Sequence, residues 1–192
     1  MEALFISTGV VALAEIGDKT QLLAFILAAR FKKPIPIIAG IFCATIFNHG
    51  MAGALGAWIT TTVSPEILRW VLGASFLAMA VWTMIPDEIE EEETKIAKKF
   101  GVFGATLVTF FLAEMGDKTQ VATIALAAHY STPILVVIGT TLGMLIADVP
   151  AVFVGDKLAN KIPMKMVHSV AAAIFALLGA ATLLGIGSNL GF

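Results

Sequence analysis

Residues 15–34 read EIGDKTQLLAFILAARFKKP, and residues 114–133 read EMGDKTQVATIALAAHYSTP. The two segments are identical at ten of twenty positions, at an offset of 99 residues and without a gap. The same register continues beyond them, where Gly40 matches Gly139 and Phe76 matches Phe175. The chain therefore consists of two related halves, and the residues most alike between them are the charged and polar ones.

Six apolar runs account for most of the 192 residues. Hydrophobic residues make up 58% of the chain, charged residues make up 14%, and the mean hydropathy is +0.93. A soluble domain has about 45–50% apolar and roughly 25% charged residues, whereas a transmembrane helix needs about 20 apolar residues. The composition predicts an all-α, polytopic membrane protein with six transmembrane helices. The runs are 4–30, 35–62, 66–86, 101–129, 133–155 and 164–187.

The same composition excludes several functional classes. The net charge of -2 leaves no basic patch for a nucleic acid. The single cysteine, Cys43, excludes an intramolecular disulfide and a cysteine-based metal cluster. The six runs leave no room for a soluble catalytic domain, and an intramembrane metalloprotease is disfavoured because His-Glu-x-x-His is absent. We therefore expect a protein that is not an enzyme and has no prosthetic group.

The repeat predicts the topology of the chain. Each half contains three apolar runs, and because three is odd, the second half must enter the membrane from the opposite side. The expected organisation is two inverted three-helix repeats, a plan common among secondary transporters. The predicted units are a first repeat at residues 1–86, an acidic cytoplasmic linker at 87–99 and a second repeat at 100–192.

Basic residues predict the orientation. The first, third and fifth loops hold nine of the twelve, and only Arg69 lies on the other side. By the positive-inside rule these loops are cytoplasmic and both termini are outside. We expect a bacterial inner membrane because the sequence has no targeting extension. The nine are Arg30, Lys32, Lys33, Lys95, Lys98, Lys99, Lys157, Lys161 and Lys165.

Charged residues also fall near the middle of the first and fourth runs. Each costs about 2.5–3.5 kcal/mol at the bilayer centre on insertion scales, so pairing, water or a bound ion must offset them. Both runs are longer than a bilayer requires, which suggests tilt, kinking or local unwinding. The charged residues are Glu15, Asp18, Lys19, Glu114, Asp117 and Lys118.

The spacing of the acids predicts a metal site. Acids three residues apart share one face of a helix, and Gly17 and Gly116 allow a local break whose carbonyls would add ligands. Hard oxygen ligands suit Ca²⁺, Mn²⁺ or Mg²⁺ and disfavour Zn²⁺ and Cu⁺. Protons competing for the same oxygens would couple the ion to a proton gradient. The expected ligands are the carboxylates of Glu15, Asp18, Glu114 and Asp117, with neutral oxygens from Thr20, Gln21, Thr119 and Gln120.

Ion pairing within each helix is the alternative to a metal site. Glu15 with Lys19, and Glu114 with Lys118, have the favourable spacing of four residues, and we expect partial pairing. Such pairing would leave both motif aspartates unexplained. The sequence therefore favours an ion site over a purely structural motif.

Three further polar residues lie within the apolar runs. Asn48 and His49 align at the 99-residue offset with Ala147 and Asp148. One interpretation is that Asn48, His49 and Asp148 belong to a second shell or a proton path. Lys19, Lys118, Thr20 and Thr119 would belong to the same shell or path. The alternative is that these polar residues of the apolar runs only form hydrogen bonds between helices. Function is favoured for Asp148, and His49 is left open. The six acids of the linker are more typical of a solvated hinge than of a cation-gathering entrance.

Both copies of the motif match Glu-x-Gly-Asp-(Lys/Arg)-(Thr/Ser) at every position. This doubled motif, in a six-span chain with an acidic central loop, resembles the cation/proton exchanger family of the Golgi calcium–manganese transporters and bacterial manganese exporters. The resemblance covers essentially the whole chain. It implies export of Mn²⁺, or Ca²⁺ in some members, from the cytosol in exchange for protons, with the four motif acids as cation ligands.

The resulting hypothesis is an alternating-access exporter that carries a divalent cation, Mn²⁺ first, across a lipid bilayer. Gln21 and Gln120 are preferred over Thr20 and Thr119 as additional ligands. A Ca²⁺/H⁺ antiporter is the nearest alternative, and a cation channel is the alternative from another class. The residues themselves show only a divalent-cation site, and they leave open proton or sodium coupling and a homo-oligomeric state.

Overall fold

The computed structural model describes residues 1–85, 100–154 and 164–185. Within these ranges the regular structure is entirely helical. The predicted linker at 87–99, Lys157, Lys161 and the side chain of Lys165 lie outside the described residues. The eight helices described are α1 (Glu2–Glu15), α2 (Lys19–Phe31), α3 (Pro34–Thr62), α4 (Pro65–Trp82), α5 (Gly101–Glu114), α6 (Lys118–His129), α7 (Pro133–Val154) and α8 (Met164–Leu183).

The helix boundaries of the two halves correspond at the 99-residue offset. Helices α1 and α5 match at both ends, and α2 and α6 begin at equivalent lysines. Helices α3 and α7 begin at the equivalent prolines Pro34 and Pro133. Proline is well suited to the first helical turn, where its missing N–H leaves no hydrogen bond unmade.

The first and fourth apolar runs are each divided into two helices. Helix α1 ends at Glu15 and α2 begins at Lys19, and α5 and α6 are separated in the same way. Gly17 has φ 86° and Gly116 has φ 80°, a left-handed conformation that side chains disfavour. The local break that these two glycines allow is therefore present in both halves.

The two broken helices run in opposite directions along α3. Helix α3 has 29 residues, which makes it about 43 Å long at a rise of about 1.5 Å per residue. Helix α2 ends beside the start of α3. Helix α6 ends beside the last turns of α3, where the ends of α3 and α6 line a cavity of about 870 Å³. We call the end of the protein at the start of α3 face A and the opposite end face B.

Small residues bring the helices of the two halves together. Helix α1 packs against α7, and the equivalent α5 packs against α3. A Cβ atom added at Gly143 of α7 would lie 2.7 Å from the main-chain oxygen of Thr8, and one at Gly40 of α3 would lie 3.0 Å from that of Phe103. The glycines therefore allow the close approach between helices that small-xxx-small patterns favour in membranes.

The distribution of side chains is that of a membrane protein. Helices α3, α4 and residues Pro133–Phe153 of α7 are long and apolar enough to cross a bilayer, and Gly101–Glu114 and Ser169–Leu183 are shorter apolar helices. Val81 is 67% exposed and Leu177 70% exposed, whereas the carboxylates of Glu15 and Glu114 are fully buried. Exposed hydrophobic residues around buried acids fit a lipid environment rather than water.

Candidate metal site at the helix breaks

The two breaks have the same local structure. Glu15 ends α1 and Asp18 is the N-cap residue of α2, at φ -78° and ψ 168°. Asp117 occupies the equivalent position before α6, at φ -78° and ψ 167°. The N–H of Asp18 donates to the main-chain oxygen of Glu15 at 3.0 Å, and that of Asp117 donates to Glu114 at 3.1 Å. Each break thus places a glutamate at one helix end and an aspartate at the next helix start.

Three carboxylates from the two halves meet between these breaks. Glu15, Glu114 and Asp117 each offer one oxygen, and these oxygens all lie within 4.8 Å of one another. Two oxygens bound to one ion at about 2.0–2.6 Å each are at most about 5 Å apart. Within the described residues, Glu15 Oε1, Glu114 Oε1 and Asp117 Oδ2 have no hydrogen-bond partner. We call these three residues the carboxylate cluster, and its spacing fits a single divalent cation.

Two threonines fix the orientation of the glutamates. Thr20 Oγ1 donates to Glu15 Oε2 at 2.7 Å, and Thr119 Oγ1 donates to Glu114 Oε2 at 2.8 Å. One oxygen of each glutamate is therefore held by a hydroxyl, which leaves the other for a cation. This arrangement places the threonines behind the carboxylates, as expected for a second shell.

The two glutamines connect each break to the opposite half. Gln21 Oε1 accepts from the N–H of Gly17 at 2.9 Å, and Gln120 Oε1 accepts from that of Gly116 at 2.8 Å. Gln21 Nε2 donates to the main-chain oxygen of Ala147 at 2.9 Å. Each amide oxygen, which sequence analysis suggested as a cation ligand, thus already accepts one hydrogen bond and retains a second lone pair.

The lysines pair across the two halves. Lys19 Nζ lies 3.3 Å from Asp117 Oδ1, and Lys118 forms an ion pair with Asp18. The expected pairing of Glu15 with Lys19 within one helix is wrong, because the break puts these residues in different helices. A spacing of four residues brings side chains together only when the helix is continuous.

The fourth predicted carboxylate lies outside the cluster. Asp18 is fully buried and is held by Lys118, whereas Asp117, its equivalent, belongs to the cluster. The expectation that two acids three residues apart share a helix face does not apply, since the break separates them. The two halves therefore have the same sequence motif but different side-chain arrangements.

Asn48, His49 and Asp148 lie in the middle of α3 and α7, close to the breaks. Asn48 Nδ2 donates to the main-chain oxygen of Phe111 at 3.1 Å, and its Oδ1 accepts from Gln120 at 3.4 Å. Asp148 interacts electrostatically with Glu15 and Glu114. Both Asp148 oxygens and both His49 ring nitrogens are buried and, in the described part of the chain, have no hydrogen-bond partner. A hydrogen bond between helices therefore accounts for Asn48 but not for His49 or Asp148.

Two main-chain oxygens that hold the site together were not expected from the sequence. The oxygen of Ala147 accepts from Gln21, and that of Phe111 accepts from Asn48. Ala147 is the repeat equivalent of Asn48, so the offset alone marked its position. Nothing in the sequence marks Phe111, because its contribution is a carbonyl group.

Gly116→Ala is expected to lower the free energy of unfolding although the added methyl group would contact no other atom. A Cβ atom there would meet nothing within 4 Å, so the effect comes from φ alone, about 1–2 kcal/mol. In a chain of this size each kcal/mol corresponds to about 2–4 °C in thermal unfolding midpoint. Gly9→Ala is the matched control, since Gly9 lies within α1 and also has nothing within 4 Å. A midpoint lowered equally by both variants would contradict a conformational role for Gly116.

Comparison with known proteins identifies the family of the chain. A family model described as divalent cation/proton antiporter GDT1 matches residues 3–91 and 102–189. A Vibrio cholerae protein described as "Putative manganese exporter" is 51% identical over 183 residues, which are 95% of this chain and 90% of that protein. GDT1-like protein sll0615 of Synechocystis is 30% identical over 190 residues, 87% of this chain and 89% of that protein.

A further relative is a plant protein, GDT1-like protein 3 of Oryza sativa subsp. indica. It is 30% identical over 199 residues, 91% of this chain and 71% of that protein. No solved structure matches the chain. The family match spans both halves, and it confirms the resemblance stated from the doubled motif. The chain belongs to the GDT1 family of divalent cation/proton antiporters.

Proposed function

We propose that this protein exports a divalent cation, Mn²⁺ first, from the cytosol by alternating access and in exchange for protons. The proposed ligands, near the middle of the membrane, are the motif acids Glu15, Asp18, Glu114 and Asp117, of which Asp18 lies outside the carboxylate cluster in this structure. The observation that carries the proposal is the carboxylate cluster, in which buried acids from both halves lie within 4.8 Å of one another. Buried acids in a membrane are typical of ion pathways.

An inverted repeat of two three-helix halves accounts for this meeting of the motifs. The broken helices α1–α2 and α5–α6 run in opposite directions along α3, with their breaks at equivalent residues. Discontinuous helices at the interface of inverted repeats are where many transporters bind their substrates. We infer six membrane crossings, with the termini outside a bacterial inner membrane as the basic loops indicate.

The choice of ion rests on the ligands and on the relatives. The cluster offers carboxylate oxygens, which suit Mn²⁺ and Ca²⁺. Four motif acids and two lysines sum to -2, which one divalent cation neutralises. Mn²⁺ is preferred because the relative at 51% identity is described as a manganese exporter, and a Ca²⁺/H⁺ antiporter is the alternative.

Proton coupling follows from the same oxygens. Protons and a divalent cation compete for carboxylates, so protons arriving from outside displace the ion. Asp148 is suited to a proton path, since it is fully buried on α7 near the cluster and its oxygens have no hydrogen-bond partner among the described residues. A structural aspartate would normally be hydrogen-bonded.

Mn²⁺ uptake into vesicles containing the purified protein tests this function. We expect saturable uptake that rises when the vesicle interior is made acidic and falls when the gradient is removed. Ca²⁺ added outside measures the preference between the two ions by competition. Vesicles without protein, and a set in which a sodium gradient replaces the proton gradient, are the controls. Uptake that neither saturates nor responds to the proton gradient would identify a channel instead.

A further inference from the structure

The two ion pairs that cross between the halves are not equivalent. The side chain of Lys19 is 22% exposed and that of its partner Asp117 is 4% exposed, whereas Lys118 and Asp18 are both fully buried. The residues of the two pairs are identical in type and occupy equivalent positions of the repeat. The motif residues themselves therefore do not account for the difference in exposure, which comes from what surrounds each pair.

Each pair holds its aspartate in a different position relative to the carboxylate cluster. Asp117 contacts Lys19 through Oδ1 and keeps Oδ2 without a hydrogen-bond partner in the described ranges, so it remains part of the cluster. Asp18 is neutralised by Lys118 in a fully buried position and stays outside the cluster. One aspartate is therefore presented to a cation while the other is withheld.

Each pair joins one residue from each break. Lys19 begins α2, which runs towards face A, and its partner Asp117 precedes α6, which runs towards face B. Lys118 begins α6, and its partner Asp18 precedes α2. The two pairs therefore differ in exposure and not in the helices that supply them. A carrier whose site is more open on one side than on the other has such an asymmetry.

We propose that Lys19 and Lys118 are positioning residues that determine which motif aspartate joins the metal site in each conformation. The inference rests on the proposed function. In the present conformation Lys118 withholds Asp18, and Glu15, Glu114 and Asp117 bind the ion. In the opposite conformation Lys19 withholds Asp117, and Asp18 takes its place beside the two glutamates.

This exchange keeps the charge of the site constant. Three carboxylates face the ion in both conformations, and the fourth is neutralised by a lysine of the other half. A buried carboxylate without a partner would be strongly unfavourable. The lysines therefore permit the movement between conformations that four free carboxylates around one ion would oppose.

Substitution of each lysine distinguishes the positioning of the aspartates from a general electrostatic role, in which the lysines only repel the ion. Lys118→Met releases Asp18 as a fourth carboxylate, so we expect Mn²⁺ binding at least about tenfold tighter than in the parent, because cation affinity follows ligand charge. Lys19→Met frees no new carboxylate, so its gain is smaller. If the lysines only repelled the ion, Lys19→Met would give the larger gain, since Lys19 directly contacts a member of the cluster.

The measurement is Mn²⁺ titration of the purified protein, together with Mn²⁺ turnover in vesicles. We expect Lys118→Met to bind more tightly and turn over more slowly, and Lys118→Arg to restore both values towards the parent because it keeps the charge. A merely structural lysine would weaken binding and turnover together. An equal or larger gain for Lys19→Met overturns the proposal.

A second pair of variants keeps the test valid if Lys118→Met does not fold. Asp18→Asn and Asp117→Asn remove the withheld and the presented aspartate, and neither leaves an unpaired buried carboxylate. We expect Asp117→Asn to weaken Mn²⁺ binding at least about tenfold more than Asp18→Asn does. Equal weakening overturns the proposal while leaving the metal site intact. A parent protein that binds no Mn²⁺ overturns the proposed function and this inference together.

Discussion

Glu15→Gln is expected to abolish Mn²⁺ transport while the protein remains folded. Glu15 is fully buried and offers one oxygen to the carboxylate cluster. Glutamine preserves the size of the side chain and an acceptor for the hydroxyl of Thr20, but removes one of the three charges of the proposed metal site. Loss of a direct ligand lowers metal affinity by at least about 100-fold, since even supporting residues contribute about 10–100-fold.

The measurement is the initial rate of Mn²⁺ uptake into vesicles, at equal amounts of folded protein judged by elution volume and thermal unfolding. Glu66→Gln is the matched control, because Glu66 is an exposed acid in the first turn of α4. We expect the control to transport at the parental rate. Asp117→Asn is expected to lose transport as Glu15→Gln does. Parental uptake by either cluster variant would show that the metal site is assigned to the wrong residues.

The meeting of the two motifs could be predicted from the sequence because it depends on the repeat. An odd number of spans per half implies opposite threading, and charged residues inside a membrane must find partners. Gly17 and Gly116 likewise indicated a break, and the structure has one at each position. How far the helix axis turns at a break could not be predicted from the sequence, because the turn depends on packing against α3 and α7.

The partners of the lysines could not be predicted, because they depend on how far the helix axis turns at each break. Spacing along one helix suggested Glu15 for Lys19, but the break directs Lys19 to Asp117 of the other half. Equivalent roles were also expected for Asp18 and Asp117, since their immediate neighbours are identical. The two halves of the folded chain are not symmetric, so equivalent residues need not have equivalent contacts.

The glutamines show a related limit of sequence analysis. Their position one turn after the aspartates made them reasonable oxygen ligands, but the amide oxygens accept from the N–H groups of Gly17 and Gly116. A break exposes main-chain groups that must find partners in a membrane. The residue that satisfies such a group can be recognised only once the position of the break is known.

Binding of Mn²⁺ is expected to weaken steeply as the pH falls from neutral towards the carboxylate range. A carboxylate must be deprotonated to bind a metal, so protons taken up by the empty site are released when the ion binds. Affinity then falls by about tenfold per pH unit for each proton displaced. Mn²⁺ affinity therefore rises with pH, because low pH favours the protonated, metal-free protein and high pH favours the metal-bound one.

Mn²⁺ titrations at a series of pH values give the number of displaced protons as the slope of log affinity against pH. Proton release in a weakly buffered solution measures the same number independently. Because Glu15 and Glu114 share one buried site, protons bound by the empty site are shared between these carboxylates rather than assigned to one residue. Glu15→Gln should therefore lower the slope as well as the affinity, whereas Glu66→Gln should change neither. An affinity independent of pH would exclude competition between protons and the ion, and antiport would then require a proton site separate from the cluster.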